Sequence, residues 1–189
     1  MKYGERYGGR RFKTVFAGGG TVPQKVADDV RRVGKRLDEL GLTPENAGNI
    51  SVRTRRGMLI TVGGVNKGVL KPEDVVEVVS FDGERAKVVG KKEPSSETPM
   101  HWLIYQTFPE VAAVIHVHDD QMVDAADSIG VPVTAEFAHY GTGKQAREVV
   151  KALEGGNYAV IRGHGVISVG GTLDEALERI LEARRRLRR

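Results

Sequence analysis

Two histidines one residue apart, His116 and His118, close the apolar run Val111-Ala112-Ala113-Val114-Ile115. Such a run, rich in β-branched residues and preceded by a helical pattern, predicts a buried strand. Along a strand, side chains two apart point to the same face. Both imidazoles then leave the sheet together at its end, side by side, as a divalent metal ion requires. A third histidine, His164, stands between glycines in Arg162-Gly163-His164-Gly165, in a chain with only five histidines. Three neutral imidazoles leave a position open on a zinc-type ion, which marks a catalytic site more than a structural one. Taken alone, His116 and His118 are equally well read as a chance pair capping a strand.

Three further segments bear on that choice. Ala47-Gly48-Asn49-Ile50-Ser51 sets bare backbone and an amide at a loop-to-strand junction. Ile60-Thr61-Val62-Gly63-Gly64 ends a strand in glycines that expose N–H groups. Pro94-Ser95-Ser96-Glu97 precedes a helix that Ser95 or Ser96 can cap. Each is an ordinary turn or cap by itself. Beside three histidines they form an anion cradle next to a Lewis acid, because helix starts and bare backbone offer free donors. Glu97, read in the first turn of that helix, suits the dipole there. Next to a metal holding a carbonyl compound it could also move a proton at the adjacent carbon. His101, one turn on, reads as a packing or supporting residue, and His139 as a surface or interface residue.

The elements that must position these groups follow from periodicity. Val26, Val30, Val33, Leu37 and Leu40 recur at helical spacing until Gly41. Residues 50–53 and 58–62 read as strands, and Val75 to Phe81 with Lys87 to Val89 as a hairpin around Asp82-Gly83. Helices are expected over Glu97 to Phe108, Gln121 to Ile129 and Thr142 to Leu153. Strands at Tyr158 to Arg162 and Val166 to Val169 flank the Gly163-His164-Gly165 turn, and a last helix opens on Thr172 and Glu175 as a capping box. Strands alternate with helices but are partly joined by hairpins, which predicts one α/β domain, 23–189, on a mixed or largely antiparallel sheet. Residues 1–22 read as a glycine-rich arm, partly extended around Phe12 to Phe16.

The chain of 189 residues is 40% hydrophobic and 29% charged, the balance of an ordinary globular protein. No apolar stretch reaches the roughly 20 residues that span a bilayer. The first residues lack the apolar centre of a secretory signal, so the cytoplasm is the expected address. Without cysteine, any metal must be held by His and carboxylate. The net charge of +4 gathers at the ends. Those arginines lack interleaved aromatics, and the C-terminal ones continue a helix whose last turn favours cations, so no nucleic-acid partner is expected.

Gly48-Asn49-Ile50-Ser51, Ile60-Thr61 with its glycines, Pro94-Ser95-Ser96-Glu97, His116-Val117-His118 and Gly163-His164-Gly165 resemble, in order and spacing, the class II aldolase/adducin family, and its fuculose-phosphate aldolase branch in particular, over residues 23 to 187. The resemblance implies a three-layer α/β/α fold with a central, largely antiparallel sheet, and a homotetramer with sites near subunit interfaces. It implies His116, His118 and His164 as ligands of Zn2+ or another divalent transition metal. Glu97 becomes the catalytic acid/base, also ligating the metal when substrate is absent, and Asn49, Gly64, Ser95 and Ser96 lie along a sugar-phosphate substrate. The implied reaction is reversible cleavage of a ketose 1-phosphate to dihydroxyacetone phosphate and a short aldehyde. Related chemistries on the same scaffold are a decarboxylase, a pentulose-phosphate epimerase and a thio-sugar phosphate dehydratase, and adducin heads are non-catalytic. One departure concerns the aldehyde half. The segment Asp119 to Gly141 is shorter than in the sugar-phosphate aldolases and offers no counterpart to their aldehyde-side tyrosine, a role not transferred to Tyr140.

Overall fold

The computed structural model describes residues 2–3, 8–20 and 22–187. Of the basic residues at the two ends, Arg6, Arg188 and Arg189 lie outside the described residues. Eight strands form one sheet among them: β1 (Lys13–Phe16), β2 (Asn49–Arg53), β3 (Met58–Thr61), β4 (Val75–Phe81), β5 (Arg85–Val89), β6 (Ala113–Val117), β7 (Tyr158–Ile161) and β8 (Gly165–Gly170). Their spatial order is β1-β5-β4-β3-β2-β6-β8-β7. Only β1 pairs in parallel, with β5; the other six pairings are antiparallel. Part of the expected arm is thus an edge strand of this chain's own sheet.

Five helices cover the two faces: α1 (Gln24–Glu39), α2 (Thr98–Thr107), α3 (Asp120–Ile129), α4 (Gly143–Leu153) and α5 (Leu173–Arg186). The pleat of β6 separates two cores. Ala113, Ile115 and Val117 join Val30, Val33 and Leu37 of α1, Met122 of α3 and Ile180 of α5. Val114 turns the other way, toward Met100 and Ile104 of α2 and Ala146 and Val149 of α4. Helix, sheet and helix are therefore stacked in three layers, with largely antiparallel pairing as expected.

Boundaries differ from the expectation by a residue or two. Helix α2 begins at Thr98, so Glu97 is its N-cap residue rather than part of its first turn. Pro99 suits the first turn, where a missing N–H costs nothing. Thr142 and Thr172 cap α4 and α5 through their hydroxyls. The capping box at Thr172 is half formed, because the Glu175 carboxylate takes the N–H of Gly171 instead.

Candidate metal centre

Strand β6 is central, and its even-numbered positions face the α2 side. His116 pairs in register with Asn49 of β2 on one flank and Ile167 of β8 on the other. His118 lies just past the strand end, where its N–H donates to the carbonyl of Leu42. The two rings sit 5.0 Å apart, edge to face. Two glycines then make room. At φ +75°, Gly48 brings the chain against β6 so closely that a Cβ would stand 2.7 Å from the His116 carbonyl oxygen. At Gly165, a Cβ would strike the Val117 carbonyl oxygen and sit 3.1 Å from Cε1 of His116. The Gly163-His164-Gly165 turn can thus lay His164 over His116, with ring centroids 5.0 Å apart and planes 7° from parallel.

Glu97 closes the cluster from the α2 side. Its Oε2 lies 3.1 Å from His116 Nε2 and its Oε1 lies 3.0 Å from His164 Nε2. Asn49 Nδ2 donates to Oε2 at 2.9 Å, and Gln145 Nε2 donates to Oε1 at 3.2 Å. One ligand atom from each of Glu97, His116, His118 and His164 lies within 4.8 Å of all the others. His116 Nδ1 donates to the Val166 carbonyl at 2.9 Å, which fixes the tautomer and turns the Nε2 lone pair inward. That Nε2 and the Nδ1 of His164 are buried without a hydrogen bond. Three imidazoles and one carboxylate, with unsatisfied lone pairs, fit a divalent transition ion.

Electrostatics favour the ligand forms of Glu97 and His118. Burial works against the Glu97 carboxylate, but the charges and hydrogen bonds of His116 and His164 outweigh it and hold the group well below the usual range. Burial, with the charges of His116 and His164, pushes His118 down to about 2, leaving a neutral ring whose lone pair is free of protons at pH 7. For His116, burial again works downward, but Glu97 beside it raises the ring above the ordinary value. Glu97 therefore favours protonation of that ring, in competition with an incoming ion.

The segments read as an anion cradle meet along one rim. Val62 and Pro94 form an isolated bridge, and the N–H of Ser95 donates to the Thr61 carbonyl at 3.1 Å. Ser95 Oγ accepts the N–H of Glu97 at 3.2 Å, closing the turn before α2. Gly64, at φ +75°, is exposed with open space around its α-carbon, and Ser96 is half-buried. Asn49 is buried; its amide nitrogen is committed to Glu97, and its Oδ1 has no hydrogen-bond partner.

Other groups at the site carried little sequence signal. Gln145 was legible only as a polar residue on the inward stripe of α4, beside Ala146 and Val149. Arg10 reaches the cradle from the arm: its Nε donates to the Pro94 carbonyl at 2.8 Å, its Nη1 pairs with Glu93, and its Nη2 would lie 3.3 Å from a Cβ on Gly63. Tyr140 OH binds the arm, accepting from Gly8 N at 2.6 Å and donating to the Gly9 carbonyl at 3.0 Å. His101 is fully buried with Nδ1 2.7 Å from Ser51 Oγ, and burial pushes it down to about 3. It stands as a neutral supporting residue. His139 is exposed and packs edge to face with Phe137.

Comparison with known proteins bears on the family and the fold. The family described as class II aldolase and adducin N-terminal domain matches residues 28–188. A 5-methylthioribulose-1-phosphate/5-deoxyribulose-1-phosphate aldolase of Rhodospirillum rubrum is 32% identical over 164 residues, covering 78% of this chain and 72% of the relative. A methylthioribulose-1-phosphate dehydratase of Gluconacetobacter diazotrophicus is 35% identical over 185 residues, covering 82% and 87%. The solved structure of an L-fuculose 1-phosphate aldolase superposes with a TM-score of 0.77 at 29% identity, covering 89% of this chain and 85% of that one.

Proposed function

This chain belongs to the class II aldolase/adducin family, and we propose that it is a metal-dependent lyase that reversibly cleaves a ketose 1-phosphate to dihydroxyacetone phosphate and a short aldehyde. The observation that carries the proposal is the Glu97 carboxylate held between His116 and His164 at 3.1 and 3.0 Å. A divalent ion, zinc by preference, held by His116, His118 and His164 supplies Lewis-acid stabilisation of negative charge beside a carbonyl, worth several kcal/mol.

The protein's own groups do the rest. In the cleavage direction the C4 hydroxyl passes its proton to water and becomes the aldehyde carbonyl as the C3–C4 bond breaks. The electron pair of that bond stays with the C2–C3 unit, and C3 then takes a proton to become the terminal carbon of dihydroxyacetone phosphate. Glu97, ionised at rest, takes that proton up from water and delivers it to C3, oriented by Asn49 Nδ2 and Gln145 Nε2. Ser95, Ser96 and the backbone of Gly64 hold the phosphate and fix the donor half without joining the bond change. Asn49 borders that phosphate while steadying Glu97. The protein acts as a homotetramer, which light scattering on the purified protein checks.

A second reading is favoured by the 35% identity to a methylthioribulose-1-phosphate dehydratase: loss of water from a ketose 1-phosphate at the same site. Both reactions need a proton moved beside the carbonyl. Incubating the metal-replete protein with fuculose 1-phosphate and with methylthioribulose 1-phosphate separates them. Release of dihydroxyacetone phosphate supports the aldolase, a dehydrated ketose phosphate supports the dehydratase, and turnover of neither rejects both.

A further inference from the structure

Lys67 is one of the largest fully buried side chains, 1% exposed, in the turn that follows Gly64. Its Nζ donates to two backbone carbonyls, Val65 at 2.6 Å and Asn46 at 3.0 Å. Among the described residues the ammonium makes no ion pair. Nearby carboxylates are already engaged: Asp38 accepts from Thr43 and Asn66, Asp74 pairs with Lys92 at 2.6 Å, and Glu97 is taken up by the metal cluster. A buried ammonium without an anion in contact is costly and is not kept by chance. Burial pushes it down to about 8, which still leaves most of it charged at neutral pH.

Its surroundings are arranged to admit it. Helix α1 carries Gly34 where a Cβ would stand 2.6 Å from the Lys67 carbonyl oxygen. The loop holding Asn46 is strained, with Glu45 at φ 52° and Asn46 at φ 68°. That loop leads into Gly48-Asn49, and the other carbonyl belongs to the turn that carries Gly64. The ammonium therefore bridges the two backbone segments bordering the proposed phosphate position, and two acceptors leave its third N–H uncommitted. The hydroxyls, amide and backbone donors of that cradle carry no net charge. Arg10, the cation on the other side of Gly63, is already paired with Glu93.

We infer that Lys67 is a positioning residue of the anion cradle, tying the Asn46 and Val65 segments together and supplying the buried positive charge that selects a phosphate ester. This inference rests on the sugar-phosphate reading above. The test uses metal-replete full-length protein with inorganic phosphate as the probe, its binding followed by calorimetry in wild type, Lys67→Met and Lys67→Gln. The glutamine keeps N–H donors without the charge, and so covers the case where the methionine variant does not fold. Metal content and Tm are measured on each. The expected result is a tenfold or greater loss of phosphate affinity in the folded variants, with metal content and Tm essentially unchanged. Unchanged phosphate affinity with a lowered Tm overturns the inference and leaves Lys67 a structural staple. Failure of wild type to bind phosphate overturns the sugar-phosphate reading, and this inference with it.

Discussion

His164 lies over His116 with ring planes 7° from parallel, and both Nε2 atoms face the oxygens of a single carboxylate. This stacking brings both rings within reach of a single cation placed beside that carboxylate. Replacing His118 or His164 by Ala should lower metal affinity at least tenfold to a hundredfold, in line with losses from disturbed ligand shells. Metal content after dialysis, with circular dichroism to show the fold intact, checks this. Chelation should abolish turnover, and borohydride should trap no adduct, since no lysine Schiff base takes part. Full metal retention in both variants would remove the imidazoles from the ligand set.

Metal uptake should release protons. His118, held down to about 2, has none to give at pH 7. His116 is raised above its ordinary value by Glu97, so it binds a proton up to a higher pH than a free imidazole. The ion competes with that proton, and apparent affinity should fall as pH drops through the raised value, by up to about tenfold per unit. Calorimetric titration of metal-free protein in buffers of different ionisation enthalpy should count about one proton released near neutrality. No proton release at neutral pH would contradict the raising of His116 by Glu97.

Glu97→Gln keeps shape and hydrogen-bonding reach but cannot shuttle a proton. Turnover should fall by about 10²- to 10⁴-fold, the usual worth of a general acid/base, while three imidazoles keep the metal content near that of wild type. Steady-state kinetics beside elemental analysis separates the two effects. An unaffected rate would take Glu97 out of the acid/base role.

The histidines were legible because their geometry is local. The strand period places His116 and His118 on one face, and a glycine on each side of His164 announces a tight turn. The carboxylate was legible as a type and a position, yet its place as helix N-cap was missed by one residue, since the Ser95 hydroxyl closes the turn before α2 begins. Gln145 and Lys67 were not read. Their roles depend on which segments meet across 48 residues for Gln145 and Glu97, and 21 for Lys67 and Asn46. In the sequence, Lys67 before a glycine looks like any exposed cation in a turn. The arm was legible as glycine-rich, but its parallel pairing with β5 and its fastening to Tyr140 are long-range and left no periodic trace.

Gly165 should tolerate no side chain. A methyl group there meets the Val117 carbonyl and the His116 ring, neither free to move without disturbing the cluster. Gly165→Ala should cost about 1–3 kcal/mol of overpacking and also loosen the metal. Gly64→Ala, with open space but φ +75°, should cost only about 1 kcal/mol in backbone strain. Urea unfolding with metal analysis on both variants reads the contrast, and equal effects would mean that the close approach at Gly165 is relaxed at no cost.

Lys67 links the site to stability through pH. Its folded value, about 8, lies below the ordinary 10.5 because the ammonium is buried. Between those values the unfolded chain binds more protons than the folded one, so this residue's contribution to stability rises with pH across that window. Below about pH 8 the buried charge is fully present, at a cost on the order of 3 kcal/mol. Lys67→Met removes that cost but leaves the Asn46 and Val65 carbonyls without their donor, a loss of about 1–3 kcal/mol each if no water replaces it. The offset between variant and wild type is therefore small at pH 7, and its slope is the sharper measure. Unfolding free energies from pH 7 to 10.5 should show wild type gaining stability relative to Lys67→Met as the ammonium deprotonates. A difference that stays flat across this range would mean that the Lys67 charge is not desolvated in the folded protein.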